Sequence, residues 1–149
     1  MKQVFTIIPG SNGVLAVVIP IVVVMLAGAA FFAYLAYSSR HVRFEVSADG
    51  LRIAGDVYGR MIPARELVAA QARTVDLTRD TDYALASRTN GAAFPGYRSG
   101  WFRLRSREKA LVFVTDTTRV AYVPTTAGYS VLVSVAEPER FVEAIQAVR

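Results

Sequence analysis

VRFEVSADGLRIAGDV, residues 42–57, is written with a period of two. Val42, Phe44 and Val46 alternate with Arg43, Glu45 and Ser47, the pattern of a half-buried strand. Asp49-Gly50 follows, a pair that tolerates positive φ in a tight turn. Leu51, Ile53 and Val57 then alternate with Arg52, Ala54 and Asp56, so the stretch reads as a β-hairpin. Gly55 and Gly59 mark bulges or a close approach of backbone.

Upstream the character changes. From Val4 to Ser39 there is no Lys, Arg, Asp, Glu or His. Val14–Tyr37 is apolar apart from its tyrosine hydroxyls and would make roughly 36 Å of helix, against a hydrocarbon core of about 30 Å. It is read as a transmembrane helix, with residues 1–13 as a short extracytoplasmic tail and residues 40–149 as a folded domain. Pro20 removes one backbone donor and is expected to kink the helix. Tyr34 and Tyr37 suit the headgroup boundary. Arg40, Arg43 and Arg52 follow on one side, and only Lys2 and the amino terminus stand on the other, which places the domain in the cytoplasm. Val4–Ile8 and the turn-like Pro9–Gly13 are expected at the outer interface.

Two other readings compete. Lys2 with Ala27-Gly28-Ala29 has the outline of a cleaved signal peptide, but the apolar run continues through Phe31–Tyr37 and ends in arginines, as a stop-transfer segment does. An uncleaved anchor with the domain outside is the other. Ala29, Ala33 and Ala36 lie at spacings that let two membrane helices approach closely, which makes a homo-oligomer a further expectation.

Downstream, Gly59–Pro63 reads as a third strand, Ala64–Ala70 has helical composition, and Ala72–Leu77 reads as a fourth strand. Thr78–Tyr97 is rich in Asp, Thr, Ser, Asn, Gly and Pro and reads as a long loop with a short strand at Tyr83–Leu85. Strands are expected at Gly100–Arg105, Ala110–Thr115, Thr118–Val123 and Tyr129–Val135, with Ala110–Thr115 central or buried on both sides. Pro138 suits a first helical position, and Phe141, Ile145 and Val148 share one helix face, widened by Val142. The expected fold is a mainly-β domain of seven or eight antiparallel strands, a bent sheet or small barrel, capped by this helix.

Composition narrows the chemistry. The formal charge is +5, and with Lys2 set aside the domain holds sixteen basic against twelve acidic residues. There is no cysteine, which excludes disulfides, thiolate catalysis and Cys-ligated zinc. His41 is the lone histidine, too few for a nitrogen-rich metal site and badly placed for Ser-His-Asp catalysis beside the apolar segment. No phosphate loop or dinucleotide fingerprint occurs. Asp76, Asp80 and Asp82 lack the calcium-loop spacing and read as a solvated loop. Neither an enzyme nor a bound cofactor or metal is expected.

Gly91, Pro95-Gly96-Tyr97, Gly100-Trp101-Phe102-Arg103-Leu104, Ala110-Leu111-Val112, Val123-Pro124-Thr125, Tyr129, Ser134 and Pro138-Glu139-Arg140-Phe141 resemble the C-terminal half of bacterial PH-like (pleckstrin-homology-like) domain proteins. The resemblance spans about Val42 to Val148 and implies a PH-like fold, in many such proteins beside one or more membrane helices; with the apolar segment, the chain is read as a single-pass bacterial inner-membrane protein whose PH-like domain serves interaction or scaffolding. The short, acidic hairpin loop Ser47-Ala48-Asp49-Gly50 departs from the Lys/Arg cluster by which eukaryotic PH domains hold phosphoinositides. A different basic surface stands out: Arg98, Arg103, Arg105, Arg107 and Lys109 near Trp101, with Trp101, Arg103 and Arg105 expected on one strand face. Besides the bilayer, the expected partner is a membrane or cytoplasmic protein. Anionic lipid is the alternative, and nucleic acid is not expected.

Overall fold

The structure, a computed structural model, describes residue 3 and residues 12–148, with the side chains of all but residues 35 and 38–40. The expected strip at Val4–Ile8 and the beginning of the turn, Pro9–Ser11, lie outside the described residues. Two compact units divide the chain, Met1–Arg40 and His41–Arg149.

Helix α1 runs from Gly13 to His41 and continues through Pro20. Its Gly13–Tyr34 part is long and apolar enough to cross a membrane, and none of it is buried. A helix apolar on every side needs an apolar surrounding for all its faces.

The domain has nine strands in two sheets and a closing helix. β1 (Arg43–Ser47), β2 (Gly50–Ala54) and β3 (Met61–Pro63) form an antiparallel sheet in that order. On β1 the side chains of Arg43, Glu45 and Ser47 are exposed and those of Phe44 and Val46 half-buried, as the alternation predicts. Gly50 has φ +132, and a Cβ there would strike the Ile62 carbonyl, so the turn demands glycine. One expectation is corrected: β2 ends at Ala54, Gly55 turns the chain at φ +91, and Val57 is 70% exposed instead of facing inward with Leu51 and Ile53.

The second sheet holds β4 (Arg73–Val75), β5 (Leu85–Phe94), β6 (Tyr97–Leu104), β7 (Lys109–Val114), β8 (Val120–Pro124) and β9 (Ser130–Val133), in the order β4-β8-β9-β7-β6-β5. Half of the expected long loop, Leu85–Phe94, is the ten-residue strand β5. Most of its side chains are exposed, so no apolar alternation betrays it in the sequence. Its pairing with β6 is broken by irregularities between Leu85 and Ser87 and between Arg88 and Asn90. The strands are also not all antiparallel: β8 turns back beside β9, which brings β9 parallel to β7. Ala64–Ala70 forms single 3-10 turns at Ala64–Glu66 and Ala69–Gln71 rather than a helix.

The six-stranded sheet is buried on both faces. On one face Leu111, Phe113, Val123, Val131 and Val133 pack with Leu51, Ile53 and Ile62 of the first sheet and with Val142 and Ile145. The latter two belong to α2 (Pro138–Gln146), whose Phe141 meets Phe44 edge-on at 6.3 Å. On the other face Phe102, Leu104, Val112, Val114, Val120, Tyr122 and Leu132 pack with Val75, Leu77, Tyr83 and Leu85. The two outermost strands, β4 and β5, are consecutive in the chain, and the segment joining them closes this second face. Its backbone ties to both ends of the sheet, with Leu77 N–H donating to Thr117 (2.8 Å) and Arg105 N–H to Ala84 (2.9 Å). β7, central and buried through five successive residues, is as the sequence predicts.

Candidate functional site: a tryptophan among cations

β6 sends alternate side chains to opposite faces. Phe102 and Leu104 enter the second core, and Trp101 packs against the first. Trp101 stands edge-on to Tyr129 at 5.1 Å. The Lys109 ammonium lies 4.3 Å from its ring centre and the Arg60 guanidinium 4.8 Å, with Arg60 also 6.0 Å from Tyr129. Each such contact is worth about 0.5–1 kcal/mol at an exposed site. Strand register puts Lys109 opposite Arg103, whose guanidinium donates to the Arg107 carbonyl at 2.9 Å. Arg107 turns the chain there with φ +71. Thr89 donates its hydroxyl to the Trp101 carbonyl at 3.0 Å. Thr89, Asn90, Trp101, Arg103 and Lys109 line an open cleft of about 470 Å³.

No carboxylate lines this cleft. The three ion pairs among the described residues, Arg79–Asp76, Arg119–Glu139 and Arg140–Glu137, use none of Arg60, Arg103 or Lys109. Two positive charges therefore stack on one indole and a third, Arg103, lines the cleft beside it, none of them in an ion pair among the described residues, and the cleft suits an anionic group with some flat apolar surface.

Of the six residues singled out in the sequence, the fold brings Trp101, Arg103 and Lys109 together. Arg107 contributes its carbonyl to Arg103. Arg105 lies beyond the end of β6, exposed in the following turn. Arg98 is on the opposite face, beside Leu77, Thr78, Ala84, Leu85 and Thr117. The sequence reading lacks Arg60 and Tyr129. Neither shares a strand with Trp101, and only tertiary pairing brings them to it.

The remaining polar groups serve the fold. Asp76 accepts the Thr78 amide (2.8 Å) and hydroxyl (2.5 Å), which hold its carboxyl below the usual range, with the nearby Arg79 charge adding to this. Asp80 accepts the Asp76 amide at 2.9 Å. Among the described residues no three His, Cys, Asp or Glu side chains gather as a metal site would require. Glu108 accepts hydrogen bonds from the Ser130 and Tyr122 hydroxyls. Burial pushes the Tyr122 phenol up; the Ser130 hydrogen bond opposes this, and the Glu108 charge adds to it.

The family model described as Bacterial PH domain matches residues 42–148. The chain belongs to the bacterial PH domain family. No curated protein matches it, and no solved structure does. In this bacterial PH domain the eukaryotic phosphoinositide position, the first hairpin loop, is the short Ala48–Asp49 turn. The cations gather instead on β6 and β7 and at the start of β3. PH domains are in general non-catalytic interaction modules, and this one carries a helix able to span a membrane.

Proposed function

We propose that this chain is a membrane-anchored, non-catalytic scaffold that presents its bacterial PH domain to an acidic protein partner at the cytoplasmic face of the bacterial inner membrane. The observation that carries the reading is the stacking of Arg60 and Lys109 on the Trp101 ring beside a cleft that Trp101, Arg103 and Lys109 line without a carboxylate. The cytoplasmic side is supported by the arginines that follow the apolar helix. Anchoring raises the local concentration of the domain near membrane partners, so a weak contact suffices.

Anionic lipid is the second reading, and Trp101 with its cations gives it substance. Position favours the partner. Phe44, near the start of the domain, touches Phe113, which pairs with Ser99. Arg103 is four residues further along β6, about 13 Å by strand rise. Arg103 and Lys109 thus lie away from the start of β1, while Arg60 closes the loop that leads into β3, nearer to it.

The test is a photo-crosslinking residue at Thr89 in the full chain, in native membranes. An adduct to one protein, reduced about tenfold (~1.4 kcal/mol) by Arg103→Glu with Lys109→Glu, is the expected result. An adduct indifferent to charge reversal would contradict the proposal. So would salt-sensitive flotation of residues 41–149 with acidic vesicles that Arg103→Glu with Lys109→Glu abolishes, which would establish the lipid reading of the cleft in its place.

A further inference from the structure

Beyond α1, the large apolar side chains exposed among the described residues are Val57 (70%), Met61 (45%) and Phe94 (38%). Exposed apolar residues scattered singly are ordinary on a protein surface. These are not scattered. Val57 lies in the loop between β2 and β3, Met61 opens β3 where that loop ends, and Phe94 closes β5 at the hairpin turn into β6. The loop is fastened to the hairpin: Asp56 accepts the hydroxyls of Tyr97 (2.6 Å) and Ser99 (2.7 Å), and Tyr58 donates to Asn90 (3.0 Å). The same Asp56 takes the Tyr58 amide at 2.9 Å, which sets the loop's own turn.

This is also where the chain comes into the domain. Arg43, the first residue of β1, pairs with Ala54, the last residue of β2. The next residue, Gly55, lies so close to the His41 backbone that a Cβ would strike the His41 carbonyl. One residue, Val42, separates α1 from β1, leaving about 3.5 Å of slack.

We propose that the domain makes a second contact with the bilayer, through Val57, Met61 and Phe94 on the loops that surround its point of attachment. The occupant of this apolar surface is the lipid interface itself, because the covalent path from a membrane-spanning helix ends among these loops. The exposed Arg43, opposite Ala54 where β2 gives way to this loop, is placed to meet headgroup phosphates. The inference rests on α1 being a membrane anchor. The Trp101 cleft adjoins this loop through Arg60 and Asn90 and meets its partner from the Arg103 and Lys109 side while the loops rest on lipid.

The absence of cysteine makes the test clean. Single-cysteine variants of the full chain, Val57→Cys, Ala93→Cys and Phe94→Cys, are labelled with an environment-sensitive fluorophore and reconstituted into phosphatidylcholine vesicles. Val24→Cys reports the anchor and Arg105→Cys the far turn. Emission at positions 57 and 94 is expected to shift to the blue and to be quenched more by a shallow nitroxide lipid than by a deep one. Position 24 should show the reverse preference, and position 105 no quenching. Ala93→Cys, beside it on the other face of the hairpin tip, keeps the Phe94 ring and is expected to be quenched less than position 94 but more than position 105. Quenching at 57, 93 and 94 no greater than at 105, with position 24 quenched, would overturn the second contact alone. No quenching at position 24 would overturn the anchor and this inference with it.

Discussion

Tyr122 carries a phenol into the second core and spends it on Glu108. Burial favours the neutral form, and the neighbouring carboxylate charge works in the same direction. The sign of the linkage follows. The raised folded-state value means that Tyr122's contribution is fully present below its unfolded value of about 10 and is lost as pH rises through the folded value. Tyr122→Phe removes a hydrogen bond worth about 0.5–1.5 kcal/mol at neutral pH but also removes the phenol that must stay protonated. Urea unfolding of residues 41–149 should therefore show a gap between wild type and Tyr122→Phe that narrows above about pH 10. A gap constant to pH 11 would contradict the account of this residue. Arg60 teaches the complementary lesson. Its contact with Trp101 and Tyr129 depends on where β3 begins relative to β6, which no local spacing encodes.

At the scale of elements, the strands differ in how much each contributes. β7 is buried on both faces, and Leu111 and Val112 are wholly inaccessible. Leu111→Ala should cost about 2–5 kcal/mol, a transfer loss plus a cavity that β6 and β9 cannot collapse around. β5 has an exposed outer edge and mostly exposed side chains. Ala86→Ser on β5 should change stability by no more than about 0.5 kcal/mol. Equilibrium denaturation of residues 41–149 checks both. The same contrast explains what could be read in advance. β1 and β7 were legible because burial on one face or both leaves a pattern in side-chain type: alternation in Phe44 and Val46, a continuous run in Ala110–Val114. α2 was legible from Pro138 and the spacing of Phe141, Val142 and Ile145. β5 was not, because a strand held at an outer edge by backbone bonds to β6 places little demand on its side chains. Val57 misled for the opposite reason. It keeps the period of the strand before it, but Gly55 has already turned the chain. The candidate site was legible only along β6 and β7, where Trp101, Arg103 and Lys109 are linked by register. Arg98 fell to the other face by the parity of the strand.

At the scale of the molecule, two units answer to two solvents. His41–Arg149 closes both faces of its large sheet with its own residues, so its core owes nothing to the apolar helix. Met1–Arg40 contains a helix with apolar side chains exposed all round, which water does not tolerate and a bilayer does. The domain brings a cation-ringed indole and the helix brings a place for it to act. On the function proposed above, the two make a tethered interaction module, with specificity assigned to the cleft and effective concentration to the anchor.

The most direct measurement is alkaline carbonate extraction of membranes carrying the full chain, followed by intact-mass determination of the protein recovered. The account predicts that the chain stays with the lipid pellet at a mass that includes residues 14–37. Release into the supernatant, or a mature mass shortened to a point beyond Ala29, would contradict it.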